Sequence, residues 1–307
     1  MLDLQMMPGT NVPHDQFRVA AWQRPWKSQV VFASPESSGF VQRATLAQPA
    51  DLGILQEALP AGVSGRIDRS AKIKVELYGG AFSSVSRALL LNGANTVAIR
   101  VASGDWEILQ FETAEEVAPD IWILETLLRG QLGTDDAMAS GAEVGAQLVV
   151  LDERVPPAGL QANETGLLLN WRVGAAGSDL SEANFADHSE TGGWRALVPL
   201  SPVHLKARRE GGDVRLSWIR RGRMDADGWN AGDIPLGEER EEYQVQIAHA
   251  GGPVVRTETV TSQGYLYTDA LISGDFGTTP AEIDVTVRQL STSVGWGLPA
   301  PRRLSLA

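Results

Sequence analysis

Histidine is the side chain most often recruited for acid–base work or metal binding near neutral pH, and it occurs four times here, as His14, His188, His204 and His249. No two of them stand at metal-ligand spacing, and a metal site needs several ligands. There is no cysteine, which removes thiolate ligands, a thiol nucleophile and any disulfide framework together. Asp225-Ala226-Asp227-Gly228 opens like a calcium loop, in which alternate carboxylates share one cation, but the glutamate that closes such a loop is out of register. It reads as a solvated turn. Gly174-Ala175-Ala176-Gly177 lacks the lysine and the following helix that would cradle a phosphate. No G-x-S-x-G turn presents a serine nucleophile. The residues therefore nominate no catalytic group, no metal ligand and no cofactor.

Two other sets suit recognition. Arg220, Arg221 and Arg223 face Glu238, Glu239, Glu241 and Glu242 across two expected strands, which fits cross-strand ion pairs or an inter-subunit contact, with ordinary solvated charge as the plainer reading. Trp229 and Trp296 fall in expected loops, where an exposed aromatic offers contact area to a sugar or a protein. Packing over a sheet edge is the alternative for both.

The elements that must position these residues read as strands. Lys72 to Tyr78 alternates Ile73, Val75 and Leu77 with Lys72, Lys74 and Glu76, one apolar face and one charged, before Gly79-Gly80. Ala88 to Leu91, Asn95 to Val101 and Trp106 to Glu112 are separated by Asn92-Gly93 and Ser103-Gly104-Asp105 and read as a three-stranded meander. Ile121 to Leu128 is apolar throughout and fits a strand or a short helix. Gly130 to Gly145 has loop composition, and Leu148 to Leu151 is a strand. Val155-Pro156-Pro157 reads as a hinge, because adjacent prolines cannot join a sheet interior. Leu167 to Val173 is a strand, and the polar stretch from Gly174 to Gly193 reads as a protruding loop.

After Pro202 the rhythm is clearest. Val203 to Arg208, Val214 to Ile219, Tyr243 to Ile247, Val254 to Val260, Tyr265 to Tyr267 and Ile283 to Val287 follow one another, six or seven strands in about 100 residues, the size of a β-sandwich. Period-2 counting places Trp218, Tyr243, Val245, Ile247, Val285 and Val287 in its core.

The chain of 307 residues is 43% hydrophobic and 21% charged, the make-up of a folded protein long enough for two or three domains. Its 38 acidic against 26 basic residues, net -12, repel a phosphate backbone, so no nucleic-acid specificity is expected. No apolar run approaches the roughly 20 residues that cross a bilayer. Met1 to Val19 carries Asp3, Pro8, Pro13, His14 and Asp15 where a secretory signal needs a basic start and an apolar run, so no signal peptide is visible.

The proline-led first strand, Trp218, Tyr243-x-Val245-x-Ile247, Ile283-x-Val285-x-Val287 and Ser293-Val294-Gly295-Trp296-Gly297-Leu298-Pro299 resemble, in that order, a fibronectin type III domain. Ile283 departs from it, standing where many members carry a tyrosine. Two further passages, Leu124 to Asp135 with its Arg129-Gly130-x-x-Gly133-Thr134, and Ser217 to Arg223 with Pro235 to Glu241, resemble the C-terminal third of the large tail-tip proteins of siphophages and gene transfer agents.

That resemblance runs from about Ala88 to the end. It implies a mostly β, multidomain chain: a β-rich tail-hub domain over 1–155, an intermediate β segment or linker with a protruding loop over 156–198, and a fibronectin type III-like β-sandwich over 199–307. It implies a structural hub of a virion tail tip, a homotrimer that closes the distal tail tube and contacts other tail-tip proteins and the host envelope. The hydrolase-like barrel of larger relatives has no room here, so no enzymatic activity carries over. The other class of function weighed is a carbohydrate-binding or adhesion module of an exported protein.

Overall fold

The computed structural model describes residues 1–7, 12–182, 184–224 and 234–306, which form two compact units, Met1–Ala196 and Leu197–Ala307. The chain is mostly β. In the first unit the strands are β1 (Leu2–Asp3), β2 (Phe17–Arg18), β3 (Gln29–Ser34), β4 (Val41–Leu46), β5 (Leu52–Leu55), β6 (Ile67–Leu77), β7 (Thr96–Arg100), β8 (Trp106–Ala118), β9 (Ile121–Gln131), β10 (Gln147–Val150), β11 (Leu168–Ala175) and β12 (Ala186–Thr191). Two short helices join them, α1 (Arg87–Leu91) and α2 (Asp135–Met138).

Strands β10-β5-β6-β9-β8-β7 close into an antiparallel barrel, which leaves none of the six with a free edge. The alternation read in β6 points Ile73, Val75 and Leu77 inward, where they meet Leu55, Val97, Ile99, Leu109, Leu124 and Leu148. Phe82 caps this core edge-on to Phe111 and Trp122, at 5.2 and 5.7 Å between ring centroids. The pairing of β6 with β9 slips between Asp68 and Lys72. At that bulge Asp68 Oδ1 accepts from the amides of Ser70 and Ala71 and from the Ser70 hydroxyl, a local alternative to the ladder that holds its carboxyl below the usual range.

Beside the barrel lies a four-stranded sheet in the order β12-β11-β3-β4. Its inner face buries Val31, Ala33, Leu169 and Trp171 against Phe17, Leu46 and Leu160.

Several expectations change here, and one that stood open resolves. Ala88 to Leu91 is helix α1, started by Ser86, whose hydroxyl accepts from the Leu89 amide. Asn92-Gly93 therefore ends a helix where a strand turn was expected, with Gly93 at φ 89°. The ambiguous Ile121 to Leu128 is strand β9, long enough to pair with both β6 and β8. Nor do Val155-Pro156-Pro157 hinge. Val155 is buried, the Val19 amide donates to the Pro156 carbonyl at 3.1 Å, and Arg18 Nη1 donates to the Val155 carbonyl at 3.0 Å. Residues 156–196 lie within the first unit, because β11 pairs with β3 along its length and the expected loop from 174 to 193 contains β12.

The second unit holds β13 (Val203–Glu210), β14 (Asp213–Ile219), β15 (Tyr243–His249), β16 (Val254–Val260), β17 (Gly264–Tyr267), helix α3 (Asp269–Phe276), β18 (Glu282–Ser291), β19 (Gly295–Trp296) and β20 (Ala300–Ser305). One sheet runs β13-β14-β17; the other runs β16-β15-β18, with β20 and the short β19 both on β18. Together they make a β-sandwich. Trp218, Val214 and Leu216 from one sheet meet Tyr243, Val245, Ile247, Val285 and Val287 from the other, and the Trp218 and Tyr243 rings lie 5.3 Å apart. These are the core residues read from period 2. Polar contacts fasten the helix of this unit to its strands. Tyr267 donates to Asp275 Oδ2 at 2.6 Å, and Arg256 reaches both oxygens of Asp275, tying α3 to β16.

The first residues of the chain are held by one carboxylate. Asp3 accepts from the amides of Gly193, Trp194 and Arg195, yet burial outweighs these bonds and raises its pKa to about 6. A carboxyl whose folded value exceeds its unfolded one stabilises the fold most when protonated, so its contribution is lost as pH rises from about 4 to about 6. Denaturant melts at steps across that window should therefore show the difference between the natural chain and Asp3→Asn shrinking or reversing as pH rises, and remaining flat above pH 7.

Candidate functional site

Three places hold the polar residues of interest. The first is the R-G-x-x-G-T passage itself. Arg129, near the end of β9, and Glu107, near the start of β8, are wholly buried, with side chains 0% exposed. Arg129 Nε donates to Glu107 Oε1 at 2.6 Å and Nη2 to Oε2 at 2.8 Å, a bidentate pair, while both terminal nitrogens reach the Pro60 carbonyl at 3.2 Å. The Gly130 amide donates to the same Glu107 Oε1 at 3.1 Å.

Gly130 takes φ 58°, and a Cβ there would stand 3.0 Å from the Asp135 backbone. Gly133 takes φ 82°, which turns the chain out of β9 toward α2. Thr134 then accepts from the Ile108 amide at 2.9 Å and donates to the Gln131 carbonyl at 2.7 Å. Arg129 and Gly130 thus hold the Glu107 carboxylate, Arg129 also holds the segment at Pro60, and Thr134 ties the turn after β9 back to β8. The arginine was visible in the sequence. Its partner was not singled out, although a glutamate inside the apolar run Trp106-Glu107-Ile108-Leu109 signals a buried charge in need of one.

The second place is the arginine group after β14. Arg223 pairs with Glu238 at 2.8 Å, both nearly buried, and donates to the Gly237 carbonyl. Arg220 donates to the carbonyls of Ile234 and Pro235, and Arg221 reaches the Ser201 hydroxyl at 3.5 Å. Of the acidic set, Glu241 accepts from Tyr243 and Gln263 instead, and Glu242 pairs with Arg240. Among the described residues, Arg223–Glu238 is an expected arginine–glutamate pair, and it forms within the chain. Arg220 and Arg223 thus hold the stretch from Ile234 to Glu238.

Trp296 is half-buried and lies in the short strand β19, paired with Leu290, where a loop was expected. Trp229 and the Asp225–Gly228 turn lie outside the described residues.

The third place was missed in the sequence. It is a cleft of about 410 Å³ on the outer side of the four-stranded sheet, lined by residues of β11 and β12 together with Ser37 and Phe40. Arg172 donates Nε to Asp187 at 2.6 Å and Nη1 to the Leu180 carbonyl at 2.5 Å. Its guanidinium lies 5.6 Å from the Phe40 centroid and 5.3 Å from that of Phe185. His188 also lines the cleft, its pKa lowered by burial. An all-polar run such as Ala186-Asp187-His188-Ser189-Glu190-Thr191 carries no apolar alternation, so nothing in it announced a strand or a site.

Among the described residues no cluster of three or more histidine, aspartate or glutamate side chains is placed to hold a metal ion, and no helix is long and apolar enough to cross a membrane.

Set beside known proteins, residues 50–149 match the family described as Rcc01698-like, C-terminal. The matched stretch begins just before β5 and ends within β10, so it takes in essentially the whole closed barrel and the R-G-x-x-G-T passage with it. No curated protein matches the chain. Among solved structures, a cytokine receptor complex is 14% identical and aligns over 83% of this chain and 96% of its own, with a TM-score of 0.26. Chicken CNTN1 FN1-FN3 domains are 10% identical over 91% of this chain and 90% of theirs, with a TM-score of 0.24. At such scores neither likeness bears on function.

Removing one member of the buried pair strands the other charge. Arg129→Met should destabilise the first unit by about 3–5 kcal/mol, and Arg129→Met with Glu107→Leu should recover most of that. Chemical denaturation of both variants checks it; equal losses would show that the pairing is not what the site contributes.

Proposed function

We propose that this chain is a structural component of a phage or phage-like tail tip, a hub that closes the distal tail tube and contacts the host envelope. The observation that carries the reading is where the R-G-x-x-G-T passage lies. The residues through which the sequence resembles tail-tip proteins of siphophages and gene transfer agents are the ones that fasten a closed barrel, and that barrel coincides with the matched family segment. A barrel without open edges followed by a fibronectin-like sandwich suits a scaffold that presents a module outward. On this reading the chain acts as a homotrimer, its partners are other copies of itself, neighbouring tail-tip proteins and the envelope, and its place is the virion or a phage-like particle.

The other reading is an adhesion module of an exported protein, for which Trp296 would offer a half-buried ring in β19.

Imaging of isolated particles labelled with an antibody against residues 197–307 tests the proposal. Label at the distal end of tails is the expected result. Label on cell surfaces, with none on tails, would transfer the chain to the adhesion class.

A further inference from the structure

The outer cleft on the four-stranded sheet is a preformed polar site with an aromatic wall. Asn170 and Arg172 on β11 stand directly opposite Ser189 and Asp187 on β12, so the four side chains share one face of the sheet. Ser189 donates to Asn170 Oδ1 at 2.8 Å, and Asn170 Nδ2 donates to the Glu36 carbonyl at 3.2 Å, which sets the orientation of that amide. The Arg172 guanidinium is held by Asp187, by the Leu180 carbonyl and by two phenylalanine rings. An arginine fixed in this way loses little freedom when a ligand arrives. Asp187 is 66% exposed and keeps lone pairs free beyond its one bond to Arg172.

We infer that this cleft binds a neutral saccharide. Arg172 and Asp187 cancel each other's charge, so the lining selects neither an anion nor a cation. What it offers is a row of alternating donors and acceptors, guanidinium, carboxylate, amide and hydroxyl, at the spacing of paired strands. Phe40 supplies the apolar surface beside them. A polyhydroxylated ring with one C–H face matches that combination, and the volume lies in the range of small-ligand sites. The inference stands apart from the tail-tip proposal and would hold for an adhesion module equally.

The test presents the intact chain to an array of neutral mono- to tetrasaccharides and measures the best binders by titration calorimetry. At least one neutral saccharide should bind. Asp187→Asn and Phe40→Ala should each weaken it tenfold or more while leaving the thermal midpoint where it was. Asp187 is exposed enough that its replacement leaves the fold intact, whereas Arg172→Ala would also remove the partner of two rings and is the poorer probe. Absence of binding to every neutral saccharide, binding confined to anionic sugars, or affinity unchanged in both variants would overturn the assignment. Particle labelling is blind to all three outcomes, so the two proposals fail separately.

Discussion

A charged pair sealed inside a protein dictates much of what surrounds it. Arg129 and Glu107 are removed from water entirely, and their attraction offsets that loss only if every donor and acceptor finds a partner in good geometry. The partners supply the plan of the barrel corner. Glu107 needs the Gly130 amide, which requires a positive φ at residue 130, and the guanidinium needs the Pro60 carbonyl. The segment at Pro60 and the end of β9 at Gly130 are therefore placed by the same four polar groups. Such a pair adds little net stability over an apolar one of equal volume, whereas removing one partner leaves a buried charge uncompensated.

The second unit solves a comparable problem with less burial. Arg256, Asp275 and Tyr267 tie α3 to β16 and β17, and hydrogen bonds from Arg256 and Tyr267 hold the Asp275 carboxyl below the usual range. At the other edge of the same sheet, Asp284 is lowered to about 2 by Arg303 and the Gly251 amide. Charges in this unit bind element ends; its interior is left to Trp218, Tyr243 and the aliphatic residues between the sheets.

How much of this the sequence disclosed follows from burial on one face or two. Strands with one wet face, such as β6 and β14, alternate cleanly, and their inward residues were read correctly down to Trp218. Strand β9 is apolar along most of its length, which erased its period and left helix and strand equal. The short segment that became α1 was read as a strand from the Asn92-Gly93 turn signal after it, although Ala88 and the three leucines that follow are strong helix formers and Ser86 supplies the helix start. At Val155-Pro156-Pro157 the prolines forbid a ladder interior yet leave their carbonyls free to accept, and that acceptance joins the segment to β2 and its surroundings. The cleft stayed hidden because it depends on Phe40 meeting Arg172, residues far apart in sequence.

The claim on which the account turns is that the Arg129–Glu107 node locks the barrel as a unit. Native-state hydrogen exchange at single-amide resolution tests it most directly. The Gly130 amide, bound to Glu107, and the Ile108 amide, bound to Thr134, should exchange only by opening of the whole barrel, with the same free energy as Val97 and Leu124 in its core. Fast exchange of Gly130 and Ile108 through local opening, with the core amides still protected, would contradict it.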